Sequence, residues 1–132
     1  MKKTFVLSSL LFSILFSPPS YSEWKWELVG KSVNENTFYV DFEGARKYDG
    51  YVYFWRMSNY LKPTPSGKLS SKSYIKGDCK IFRQTNLSGS FHKEQMGKGT
   101  SDTYTLSPSK QEWSYPSPNS VSEVILKRVC SR

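Results

Sequence analysis

Tyr51-Val52-Tyr53-Phe54-Trp55-Arg56-Met57-Ser58-Asn59-Tyr60 is the run from which the architecture follows. Side chains alternate across a β-strand, so Tyr51, Tyr53, Trp55 and Met57 share one face while Val52, Phe54, Arg56 and Ser58 share the other. Aromatic rings on both faces predict a central strand. Upstream, Trp24, Trp26 and Leu28 alternate with Lys25, Glu27 and Val29, a first strand with one apolar face. The Asn34-Glu35-Asn36 cluster turns the chain, and Phe38, Val40 and Phe42 alternate with Tyr39 and Asp41. These two runs predict an antiparallel hairpin. Gly44 to Gly50 is expected to be a connection, at most one helical turn, closed by Asp49-Gly50.

Downstream, the two prolines of Lys62-Pro63-Thr64-Pro65-Ser66-Gly67-Lys68 remove ladder donors, so this segment is an exposed loop. Ser70 to Gln84 is expected to return as one long strand, bulged at Gly77-Asp78 and carrying Cys79. Ser88-Gly89-Ser90 is expected to bend the chain, Met96-Gly97-Lys98-Gly99 to form a tight turn, and Thr103 to Thr105 to make a short strand. Near the end, Ser120 and Glu123 have capping-box spacing. Val121, Val124, Ile125 and Val129 form an apolar stripe at helical spacing. Lys127 and Arg128 fall in the last turn, where positive charge suits the helix dipole. The fold class is therefore α+β: a meander-like antiparallel sheet with a C-terminal helix packed on it.

The N-terminus predicts export. Lys2 and Lys3 precede an apolar run from Thr4 to Phe16, then Pro18-Pro19 and the small residues of Ser20-Tyr21-Ser22. That is the pattern of a cleaved secretory signal over residues 1–22, leaving one domain over 23–132. The run is short for a bilayer span, which takes about 20 residues; an uncleaved anchor is the alternative. No cysteine follows it to carry a lipid. Cys79 and Cys130 are the only cysteines, and an even pair in an exported chain predicts one disulfide joining the helix to the sheet. Two free buried thiols are the competing reading.

Composition narrows the function. Aromatics make up 16% of the residues, which favours a sheet over a helical bundle. The formal charge of +8 falls to +6 without Lys2 and Lys3. Its basic residues are dispersed and no nucleic-acid motif is present, so nucleic acid is not the expected partner. Anionic polymers or lipid head groups outside the cytoplasm suit this charge better. Enzymatic chemistry finds little support. His92 is the only histidine, no Gly-x-Ser-x-Gly elbow occurs, and a disulfide consumes both thiols that zinc would want. Gly97-Lys98-Gly99-Thr100 lacks the glycine a phosphate loop needs. Asp41 and Glu43 share a strand face, but no second carboxylate is placed opposite, and Asp41 reads as a turn partner. No metal and no cofactor is expected.

The order of Trp26-Glu27-Leu28-Val29-Gly30, Phe38-Tyr39-Val40-Asp41, Val52 to Trp55, Ser70-Ser71-Lys72-Ser73-Tyr74, Asp78-Cys79, Met96-Gly97-Lys98-Gly99, Trp113 and Val129-Cys130 resembles the surface-adhesin protein E family of bacterial exported proteins. The resemblance implies a sheet, a packed helix and a disulfide between them. It also implies adhesion to extracellular-matrix proteins, although the adhesin that names the family is lipid-anchored.

The expected function is thus a non-enzymatic exported domain that binds protein or anionic polysaccharide, in the periplasm or at the bacterial surface. A structural or accessory periplasmic protein is the alternative, and a homodimer is compatible with either. The candidate contact surface is the loop from Lys62 to Lys72 with its flanks: Tyr60, Lys62, Lys68, Lys72 and Tyr74. Aromatic and basic residues together suit such interfaces. The competing reading has these tyrosines packing on the sheet and these lysines solvating it.

Overall fold

The computed structural model describes residues 23–132; the expected signal, residues 1–22, lies outside the described residues. One antiparallel sheet of seven strands carries the chain: β1 (Glu27–Lys31), β2 (Thr37–Val40), β3 (Arg46–Tyr48), β4 (Tyr51–Asn59), β5 (Ser70–Asp78), β6 (Arg83–His92) and β7 (Ser101–Thr105). Helix α1 (Val121–Cys130) follows. The order across the sheet is β1-β2-β4-β5-β6-β7, and β3 also pairs with β4. β2 takes the Arg56–Asn59 half of β4 and β3 takes the Tyr51–Tyr53 half. β4 is therefore central, as its rings on both faces predict.

The segment after Gly44 differs from expectation. It is the short strand β3, and Asp49-Gly50 is the two-residue hairpin turn, with φ of 52° and 85°. Two positive φ values in sequence make the turn whose twist suits a hairpin, which explains Asp-Gly there. Ser70 to Gln84 is likewise two strands rather than one. The Asp78 carboxylate makes the reversal: Oδ1 accepts from the backbone N–H of Lys80 and of Ile81, each at 3.1 Å. Oδ2 accepts from Arg83 Nε at 3.1 Å. The Ile81 amide foremost, with the Arg83 side chain and the Lys80 amide, holds the Asp78 carboxyl below its ordinary range against the opposing effect of burial. Cys79 thus lies in the hairpin turn rather than mid-sheet. The bend expected at Ser88-Gly89-Ser90 is absent, because this stretch pairs with β5 on one side and β7 on the other.

On one face of the sheet α1 packs over Val40, Phe42, Val52, Phe54 and Ile75 through Ile125, Leu126 and Val129. Gly77 permits the close approach: a Cβ there would lie 2.8 Å from Leu126 Cδ1. The helix begins as its sequence predicts, with the Glu123 N–H donating to Ser120 Oγ at 3.1 Å. The Glu123 carboxylate reaches one residue further back than a capping box requires, accepting from Asn119 N at 3.0 Å. The stripe is rotated from its expected setting, since Leu126 is buried and Val124 is 44% exposed. Arg128 bridges to Glu27 at 2.8 Å, and the Cys79–Cys130 disulfide ties the far end of α1 to the β5–β6 turn.

Trp24, Trp26 and Leu28 do not supply the helix side. A bulge between Leu28 and Gly30 turns Val29 toward the core, while Leu28 stays 56% exposed. The Trp24 and Trp26 rings stack near the sheet's other face.

Candidate binding face

The face opposite α1 is built by register. Trp55 sits across from Tyr74, Tyr53 from Lys76, Arg46 from Tyr53, and Tyr48 from Tyr51. Cross-strand neighbours on one face touch, so residues far apart in sequence meet there as clusters of rings. Trp55 and Tyr74 have centroids 4.9 Å apart, and Tyr74 and Tyr53 6.1 Å. Trp24 meets Trp55 edge-on at 5.4 Å and stacks on Trp26 at 4.9 Å. At the other end Trp113 stacks on Tyr51 at 6.1 Å.

Cations are laid over these rings. Lys72 Nζ lies 4.8 Å from the Trp24 centroid, Lys76 Nζ 4.2 Å from that of Tyr51, and the Arg83 guanidinium 4.2 Å from that of Trp113. Such contacts stabilise both partners and keep positive charge on an apolar surface. Burial lowers the Lys72 ammonium pKa. Burial also raises the Tyr74 phenol, helped by Tyr53 and opposed by Arg46.

Two clefts open on this face and share Arg46 and Tyr74. One, of about 220 Å³, lies between Trp24, Trp55, Tyr74, Arg46, Gly44 and Asp41. The second, of about 390 Å³, runs on past Tyr53 to Tyr48. Asp41 is 9% exposed, and its Oδ1 accepts from Gly44 N at 3.0 Å, the turn role its position predicts.

Of the five surface residues expected from the sequence, the structure brings together Lys72 and Tyr74. Tyr60 shares a 2.8 Å hydrogen bond with Ser71, whose partner Ser58 belongs to the helix-side register. Lys62 is exposed in the loop. Lys68 is 8% exposed, its ammonium held 2.8 Å from Asp102 Oδ2, so it is not a free surface charge. The loop and the strand face are therefore separate surfaces. Arg46, Tyr53, Trp55 and Trp24 line the clefts of the candidate face and lie outside the loop-centred expectation; the signal for Tyr53 and Trp55 is the odd-numbered aromatic alternation of Tyr51 to Met57.

His92 is 6% exposed, and its Nε2 lies 2.7 Å from Ser90 Oγ. Burial first, and the charge of Lys72 second, lower its pKa, opposed by a hydrogen bond to Gly99. A depressed histidine is neutral when folded, and the unfolded chain binds its proton more readily. Stability therefore holds above the unfolded value of about 6.5 and falls as pH drops through it toward the folded one. Asp78 and Asp102, both depressed, add a second loss as pH falls below about 3.9. A thermal midpoint measured from pH 8 to pH 4 should show the first decline, and His92→Gln should flatten it. An unchanged slope in that variant would assign the decline elsewhere.

Among the described residues no group of three His, Cys, Asp or Glu is placed to hold a metal, and no helix is long and apolar enough to cross a membrane.

A ring-covered antiparallel sheet, closed on its other side by one disulfide-tied helix, defines the class: a small α+β domain with one open aromatic face. The chain belongs to the surface-adhesin protein E family, whose model matches residues 26–131. A crystal form of Haemophilus influenzae protein E matches with a TM-score of 0.59 and 20% identity, over 90% of this chain and 97% of that one. Its selenomethionine form matches with 0.59 and 20%, over 88% and 93%. Protein E from non-typeable Haemophilus influenzae gives 0.55 and 19%, over 88% and 82%. At these identities the structures share the fold. A search of the curated proteins finds no match.

Proposed function

We propose that this chain is an exported, non-enzymatic adhesin-like domain that binds macromolecules outside the cytoplasm through the face opposite α1. One observation carries the reading: the cluster Trp24, Trp55, Tyr74 and Tyr53 and the pair Tyr51 and Trp113 lie on one sheet face, joined through Lys76 and dressed with Lys72 and Arg83. Rigid rings with cations beside them supply the contacts that dominate protein and polysaccharide interfaces. Membership of a family described as surface adhesins supports the same role. The single disulfide and the N-terminal apolar run support export.

Retention of the purified protein on immobilised matrix proteins and acidic polysaccharides is the test. The double variant Lys72→Glu/Lys76→Glu should reduce affinity by about tenfold at low salt, with a smaller effect as salt rises. Lys62→Glu, on the separate loop, should change it by less than about twofold. Equal losses from both variants would dissolve the distinction between face and loop.

A further inference from the structure

The two clefts adjoin at Arg46 and Tyr74, which line both, and this groove region has a lining more specific than a basic surface. Trp55, Tyr74 and Tyr53 line it as half-buried rings packed on one another, with centroids 4.9 and 6.1 Å apart and planes inclined by 34° and 28°. Trp24 lines the smaller cleft. Ring faces carry negative quadrupole density, and the C–H faces of pyranose sugars are their natural complement. Asp41 sits in the same cleft, and among the described residues only its Oδ1 is engaged. Its Oδ2 is therefore available to accept from a ligand hydroxyl. Arg46 is exposed, borders both clefts and makes no ion pair among the described residues. Its planar fork suits a carboxylate or a sulfate.

Charge decides between ligand classes. A cationic ligand on these rings would meet Lys72 and Lys76, which already lie over Trp24 and Tyr51. Arg46 and Lys47 line the clefts and Lys72 and Lys76 flank them, against the one carboxylate of Asp41, so the local balance draws an anion. An open cleft that sets a hydroxyl-accepting carboxylate and an anion-binding guanidinium beside half-buried rings offers each of the contacts that an acidic sugar chain needs. We infer that the groove from Trp24 to Tyr53, centred on Arg46, is a subsite for a linear acidic glycan. The inference rests on the proposed macromolecule-binding face and names the ligand chemistry.

The test titrates the purified protein with a heparin-derived octasaccharide, a hyaluronate-derived octasaccharide and a neutral dextran oligosaccharide, read by calorimetry and tryptophan fluorescence at physiological ionic strength. At least one acidic probe should bind saturably and the dextran should not. Binding of both acidic probes assigns recognition to the shared uronate carboxylate, and of heparin alone to sulfate. Arg46→Ala and Tyr74→Ala should each weaken binding about tenfold; Tyr74→Phe should retain it, and Lys62→Ala and Lys98→Ala should change it less than twofold. Arg46 is exposed, so its variant reads the site even if Tyr74→Ala fails to fold. Losses shared evenly among all lysine variants, with Arg46→Ala no different from them, would reduce the binding to bulk charge and overturn the subsite. Failure of both acidic probes while matrix proteins are still retained through Lys72 and Lys76 would overturn the glycan inference and leave the broader reading standing. Failure of both kinds of ligand would remove the broader reading too.

Discussion

Replacing Cys79 and Cys130 together by serine should lower the unfolding free energy by about 4 kcal/mol, from the entropy of the loop the bond closes. The two cysteines are 51 residues apart, and the loop contains β6, β7 and all of α1. Without the bond, a ten-residue helix is held to the sheet mainly by Ile125, Leu126 and Val129, with the Arg128–Glu27 pair at its flank. A helix of that length is marginal in isolation, and small domains have on the order of 5–15 kcal/mol in total. Urea unfolding of the oxidised wild type and the double-serine variant gives the difference directly. Hydrogen exchange should quicken most in α1. A loss under about 1 kcal/mol would show that packing alone secures the helix.

The elements legible in the sequence are those whose signals are local. The alternation of Tyr51 to Tyr60 marks β4, and Ser120 with Glu123 marks the start of α1, because strand period and helix caps depend on neighbours. The missed features depend on partners distant in the chain. Arg46-Lys47-Tyr48 is too short and polar to announce a strand, and becomes one only because half of β4 is otherwise unpaired. The reversal after Asp78 has no proline or Asn-Gly to mark it. It relies on one carboxylate and on Phe82 at a φ of 62°. Lys68 reads as a solvated loop lysine until β7 brings Asp102 to it. The candidate face is the clearest case. Its rings are visible in the sequence, but which of them meet follows from the Trp55–Tyr74 register. The bulge at Val29, between Leu28 and Gly30, then leaves the tryptophans on the side away from α1.

Phe54 and Trp55 are adjacent in β4 and point to opposite faces, and their alanine variants should separate stability from binding. Phe54 is fully buried in the cluster with Val52, Ile75 and Leu126. Removing its ring deletes a large apolar volume from a core tied on both sides, and Phe→Ala changes of this kind cost about 3–5 kcal/mol. Trp55 is half-buried, packed on Tyr74 and Trp24 rather than beneath the helix. Trp55→Ala removes less buried area and leaves an open surface instead of a cavity, so its cost should be about 1.5 kcal/mol. Its effect on ligand should run the other way. Trp55→Ala should weaken glycan binding about tenfold, while the folded fraction of Phe54→Ala should bind with nearly unaltered affinity. Urea unfolding and the same titration measure both quantities on both proteins. If Trp55→Ala destabilised the protein as much as Phe54→Ala, the aromatic face would be a second core. Its rings would then be held for packing, and the groove would lose its claim to a ligand.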